Sequence, residues 1–266
     1  MPSLLDVRDL TIIAPGAERP IVDSLSFSIR AGEILAVVGE SGAGKTMTGL
    51  AMLGLVPPPL RVLRGEILWK GRNLAKLRER ELRAVRGREI GLVFQEPTAA
   101  MNPAVPVGRQ VAEVLRVHRG LSRSEAHKRA VDLMDRVRIA DAARRYHAFP
   151  HELSGDMLQR VAIAIAITCE PDLLIADEPT TALDASVQRG VLELIAEIQR
   201  SSGMAVLFVT HNLALVAEMA DRVLVMRDGR SVEQADVFTL FEHPQSDYAR
   251  ELLAATPPPP DGSGGK

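Results

Sequence analysis

One cysteine in 266 residues, Cys169, leaves no partner for an internal disulfide and too few thiolates for a cysteine-rich metal or iron–sulfur site. Such usage suits a reducing compartment, and a lone cysteine is expected as a small buried apolar residue. Charge of one sign is scarce as well: 32 Lys plus Arg stand against 34 Asp plus Glu. Without a basic excess, nucleic acid and acidic membrane surfaces are not expected partners. Long apolar runs are missing too. The longest, such as Val161 to Ile167, fall far short of the ~20 residues that a bilayer span requires. The opening Met-Pro-Ser-Leu-Leu-Asp-Val-Arg-Asp lacks the charged-then-apolar order of a signal peptide. The expectation is a cytoplasmic chain unless a partner carries it to a membrane. What remains, 46% hydrophobic and 25% charged residues, is ordinary for a protein with a proper core.

Within that composition, Ile34 to Met52 is the organising stretch. A short β-branched apolar run leads into Gly39-Glu40-Ser41-Gly42-Ala43-Gly44-Lys45-Thr46, and an apolar helical segment follows. This satisfies G-x-x-x-x-G-K-[ST] in the strand–loop–helix setting that a phosphate-binding loop needs. The glycines let successive N–H groups turn inward, and the helix beginning near Lys45 adds its positive end to the same place. Lys45 is expected to reach the β- and γ-phosphates, and the Thr46 hydroxyl to ligate Mg²⁺.

Taken in order, Leu4 to Ile13 and Ile21 to Ile29 alternate apolar and polar residues around a Pro15-Gly16 turn, which predicts antiparallel strands. The first helix is expected to stop at Val56, ahead of Pro57-Pro58-Pro59. Ile90 to Val93 reads as a buried strand that puts Gln95 at its C-terminal end, where open α/β sheets keep their ligands. Helical spacing follows over Val107 to His118 and Ser122 to Val137, with a capping box at Ser122 and Glu125. These form an expected helical subdomain at about 96–160, of the kind that serves as a docking surface. Leu173 to Ala176 is an apolar strand closing on Asp177 and Glu178. Neighbouring residues leaving a strand point in different directions, so the two acids suit different tasks. Asp177 would hold Mg²⁺, and Glu178 would polarise an attacking water.

These motifs, in this order, resemble the ATP-binding cassette (ABC) ATPases over roughly residues 3 to 255. The match comprises the phosphate loop at Gly39 to Thr46, a Q-loop glutamine at Gln95 and the signature at Leu153-Ser154-Gly155-Asp156-Met157. It continues with the acidic motif ending at Glu178, the D-loop Ala182-Leu183-Asp184 and the switch histidine His211. Within the family, Phe-Gln-Glu-Pro with Met-Asn-Pro, Phe-Pro-His-Glu-Leu-Ser-Gly, and the tail His243-Pro244 through Tyr248 resemble the oligopeptide, dipeptide and nickel importer ATPases.

The resemblance implies an α/β fold with a P-loop NTPase core. A mainly parallel sheet, an N-terminal antiparallel β portion and an inserted α-helical subdomain would make one ABC ATPase domain over 1–256. A disordered tail would follow at 257–266. It implies an ATPase using ATP and Mg²⁺, with Glu178, His211 and Gln95 catalytic and with Thr46, Gln95 and Asp177 at the metal. Ser154, Gly155 and Asp156, next to Leu153, would face the ATP of a second ABC ATPase subunit, either a copy of the chain or a paralogue. Two transmembrane permease subunits and an extracytoplasmic solute-binding protein complete the implied complex, which places the chain peripherally on the cytoplasmic face of the inner membrane. Uptake of peptides or nickel is the implied task. The alternative is a soluble accessory ATPase of a metabolic complex of the carbon–phosphorus lyase type. Members with long coiled coils do not fit, because no heptads separate Lys45 from Ser154.

Two stretches depart from the family pattern. Ile13 and Ala14 stand where an adenine-stacking aromatic is usual, so base recognition is expected to be weak and apolar. Asp156 stands where the signature normally has its second glycine. A carboxylate ~5 Å from a phosphate, at an effective dielectric of ~20, costs about 3 kcal/mol. That predicts a heterodimer with one impaired ATP site.

Overall fold

The computed structural model describes residues 3–180 and 185–255. Asp184, its D-loop neighbours and the tail 257–266 therefore lie outside the described residues. The chain opens with strands β1 (Ser3–Ile13), β2 (Val22–Arg30) and β3 (Ile34–Val38), helix α1 (Lys45–Met52), and strands β4 (Arg61–Trp69) and β5 (Arg72–Asn73). Next come α2 (Glu79–Val85), β6 (Ile90–Val93), α3 (Val107–Arg119), α4 (Arg123–Arg136), α5 (Ala142–Arg145), α6 (Gly155–Ile167), β7 (Leu173–Asp177) and α7 (Ala185–Ser202). The described chain closes with β8 (Ala205–Val209), α8 (Leu213–Met219), β9 (Arg222–Arg227), β10 (Arg230–Asp236), α9 (Val237–Glu242) and α10 (Asp247–Ala254). It divides into two compact units, Met1–Lys76 with Leu207–Lys266, and Leu77–Val206.

In the first unit, β2-β1-β4-β5 form an antiparallel sheet. Alternation in β1 would carry Leu5 and Val7 to one face and Leu10 to the other. A register shift after Val7, with Asp9 at φ 48°, absorbs the extra residue, so that Leu5, Val7, Leu10 and Ile12 are all buried. Trp69 and Ile67 of β4 join them in the core. Parallel pairing of β3 with β9, Leu35 opposite Arg222 through Val38 opposite Val225, carries the second sheet of this unit, and β10 pairs antiparallel with β9. The first helix ends earlier than Pro57 alone predicts. Gly54, at φ 61°, returns its N–H to Ala51 (3.0 Å) and Leu55 returns its own to Leu50 (2.9 Å). This is a glycine-terminated cap, which closes α1 at Met52 before the prolines are reached.

In the second unit, β6 and β7 pair in parallel from Ile90 opposite Leu173 to Val93 opposite Ala176. Helices α3 to α6 occupy the stretch between those strands. Ser122 Oγ accepts the Glu125 N–H (3.3 Å), while the Glu125 carboxylate accepts the Ser122 N–H (3.0 Å), the reciprocal cap expected from the sequence. Cys169 is fully buried, and burial pushes its thiol pKa up, which makes it an inert packing residue.

Candidate functional site

The fully buried β3 delivers Gly39 into the loop. Gly39 adopts φ 151° and packs so closely beneath the end of β9 that a Cβ would lie 2.1 Å from the Met226 carbonyl oxygen. Gly44, at φ 92°, would set a Cβ 2.7 Å from the Ile21 carbonyl oxygen. Only glycine fits at either end of the turn. Between them, Ala43 donates its N–H to the Glu40 carbonyl (3.2 Å), and Ser41 and Gly42 are exposed. Lys45 is 6% exposed. Its Nζ spans the loop, donating to the Gly39 carbonyl (2.7 Å) and the Glu40 carbonyl (2.9 Å). No side chain caps the first turn of α1, and Thr46 is exposed at its start. A glycine-bounded loop, an ammonium laid across it and a helix N-terminus together suit a polyphosphate.

His211 belongs to the same unit. The Thr210 N–H donates to the Val37 carbonyl (3.1 Å), which extends β8 beside β3 and sets exposed His211 at the strand end that leads into Gly39. The Glu40 N–H donates to the phenol oxygen of Tyr248 at 3.2 Å, a partner that motif reading does not assign.

In the second unit the pairing of β6 with β7 ends at Val93 and Ala176. Gln95 and Glu178 keep the same offset as the paired residues, and Gln95 Nε2 donates to a Glu178 carboxylate oxygen at 3.3 Å. Asp177 is buried at the end of β7, whereas Glu178 turns out of the strand at φ 45°. A left-handed glutamate is a costly conformation of the kind that collects at functional sites. The signature begins where Leu153 ends a short 3-10 turn. Ser154 caps α6, its Oγ accepting the Met157 N–H at 3.4 Å, and Gly155 opens the helix. Asp156 does not stand alone there. Arg160, one turn on, donates its Nε to both carboxylate oxygens (2.9 and 3.0 Å), while its guanidinium also donates to the Val137 carbonyl (3.2 Å). The i,i+4 spacing of the two charges is the signal in the sequence that points to this pair.

The family model described as ABC transporter matches residues 22–181, more than half of the chain. The chain belongs to the ABC transporter family. This cassette is 47% identical over 257 residues to a probable peptide ABC transporter ATP-binding protein, y4tR, of Sinorhizobium fredii. That alignment covers 96% of the chain and 77% of the relative. It is 43% identical over 257 residues to the dipeptide transport ATP-binding protein DppD of Escherichia coli, covering 96% and 79%. Among solved structures it superposes on the ATP-binding cassette MJ0796, a dimer in a post-hydrolysis state bound to ADP and Pi. The TM-score is 0.77 at 26% identity, over 88% of this chain and 98% of that one. The fold is that of the P-loop ABC ATPases.

Proposed function

We propose that the protein is the ATP-hydrolysing subunit of an importer for peptides. The observation that carries this reading is the Gly39–Thr46 loop with Lys45 Nζ held across it, and the peptide-transport names of its relatives supply the solute class. Lys45 takes the β- and γ-phosphates. Thr46, Asp177 and Gln95 are the residues that would hold Mg²⁺, which neutralises phosphate charge when bound. Glu178 orients the attacking water, with its carboxylate steadied by Gln95, and His211 contacts the γ-phosphate. Leu153 to Asp156 serve the ATP of a second cassette, and Asp184 lies in the loop that meets it. The helical stretch at about 96–160 is the docking surface for two permease subunits, which place the cassette at the cytoplasmic face of the inner membrane, with a solute-binding protein outside. Nickel has no support from the named relatives.

Two variants test the assignment. Glu178→Gln should bind ATP normally yet hydrolyse it at least about a hundredfold more slowly, because the water loses its orienting carboxylate. Lys45→Ala should weaken nucleotide binding itself by about tenfold or more, through loss of a charge-assisted contact. Wild-type turnover by Glu178→Gln, with any partner cassette disabled at the equivalent residue, removes Glu178 from the mechanism.

A further inference from the structure

The chain returns to its phosphate loop from the far end of the first unit. Tyr248, on α10, is 5% exposed, and its phenol oxygen accepts the Glu40 N–H at 3.2 Å. That N–H belongs to the Gly39–Glu40 peptide, and the carbonyl of the same peptide accepts Lys45 Nζ at 2.7 Å. A peptide group is planar and stiff, so this one is held at both polar ends, by a phenol on one side and an ammonium on the other. Rotation of the plane, otherwise easy beside a glycine, breaks both bonds together. Gly39 is also wedged under the Met226 carbonyl, which removes the remaining room to move.

Tyr248 is itself fixed. The guanidinium of Arg227, the residue after Met226, lies 4.6 Å over its ring. The start of α10 is tied to Glu233 of β10, whose carboxylate accepts the Gln245 N–H (2.9 Å), the Ser246 N–H (2.8 Å) and the Ser246 hydroxyl (2.7 Å). Burial raises the Tyr248 pKa, so the phenol stays neutral.

We propose that Tyr248 is a positioning residue for nucleotide binding: it fixes the Gly39–Glu40 peptide, and through that peptide the Lys45 ammonium, in the arrangement that receives the phosphates. The inference rests on reading Gly39–Thr46 as the phosphate site. Without the phenol oxygen the peptide plane samples other orientations, and nucleotide binding must restore the order that the free protein lacks.

Tyr248→Phe keeps the ring and its stacking on Arg227 and removes only the oxygen. In the full chain, titration with a fluorescent ATP analogue should show the Kd rising about three- to tenfold, the range of one hydrogen bond. The melting temperature should hold, amide exchange at Glu40 should speed up, and KM for ATP should rise more than kcat falls. A packing role alone leaves Kd and Glu40 exchange unmoved in the Phe variant, and that result overturns the proposal. Affinity lost only together with melting temperature overturns it as well. Lys45→Ala measured alongside separates the two readings. If it binds nucleotide as the wild type does, the phosphate-site assignment fails; if it loses binding while Tyr248→Phe does not, the role of Tyr248 alone fails.

Discussion

An isolated Asp156 carboxylate about 5 Å from a phosphate would cost about 3 kcal/mol at an effective dielectric of about 20. Arg160 cancels that charge from 2.9 Å, and what remains is a dipole whose field falls off much faster with distance. The arginine cannot easily swing away. Its side chain is 12% exposed, it is held by the Val137 carbonyl, and it lies against Gly190 so closely that a Cβ there would sit 3.2 Å from the guanidinium. With its charge paired, Asp156 gives no electrostatic ground for one impaired ATP site. Asp156→Gly is expected to change the ATPase rate of the assembled complex by no more than about threefold. Arg160→Met, which uncovers the carboxylate, should lower the rate by about tenfold or more, and adding Asp156→Gly to it should restore most of the loss. If the two substitutions act additively, the pairing has no bearing on catalysis.

At the scale of elements, α10 depends on one buried carboxylate. Burial, the largest single influence on Glu233, works to raise its pKa, but the N–H groups of Gln245 and Ser246, the Ser246 hydroxyl and the charge of Arg250 outweigh it. The folded pKa lies below the ordinary 4.5. A lowered carboxylate pKa means stability that is fully present above 4.5 and is lost as pH falls through the lower folded value. Glu233→Gln should therefore cost about 1–2 kcal/mol near neutral pH. Thermal melting should show the gap between variant and wild type closing as pH drops well below 4.5; a gap independent of pH would mean that charge plays no part in holding α10. Sequence reading reaches some of these elements and not others, for identifiable reasons. The Ser122 and Glu125 cap, the P-loop strand and the buried runs at β6 and β7 are local patterns, and the residues themselves carry them. The end of α1 at Met52 was also local, but the signal was Gly54 rather than the more conspicuous prolines. The bond from Glu40 to Tyr248 joins residues 208 positions apart, and no periodicity or spacing encodes such a contact.

At the scale of the whole molecule, none of the described helices is long and apolar enough to cross a membrane, and the proposed transport role assigns the passage to two permease subunits. The proposal also includes a second cassette, whose nucleotide would meet the helix N-terminus that Ser154 caps and Gly155 opens. Both parts of it can be read in one preparation. Tagged Glu178→Gln chain, extracted in detergent from membranes of its native cell with ATP and Mg²⁺ present, should bring down two polytopic membrane subunits together with a second cassette, either a further copy or a paralogue. Stalled hydrolysis keeps the ATP-bound pair closed, so recovery of the second cassette should exceed that in ADP, whereas the Lys45→Ala chain should lose the nucleotide dependence and keep the permease subunits. That split is the informative part: on the proposed reading, docking to the permeases would draw on the helical stretch without ATP, while cassette pairing would need it. Recovery of soluble partners only, from a chain whose Lys45→Ala and Glu178→Gln variants otherwise behave as proposed, would retain the ATPase and remove the importer, leaving an accessory enzyme of a soluble complex as the activity to pursue.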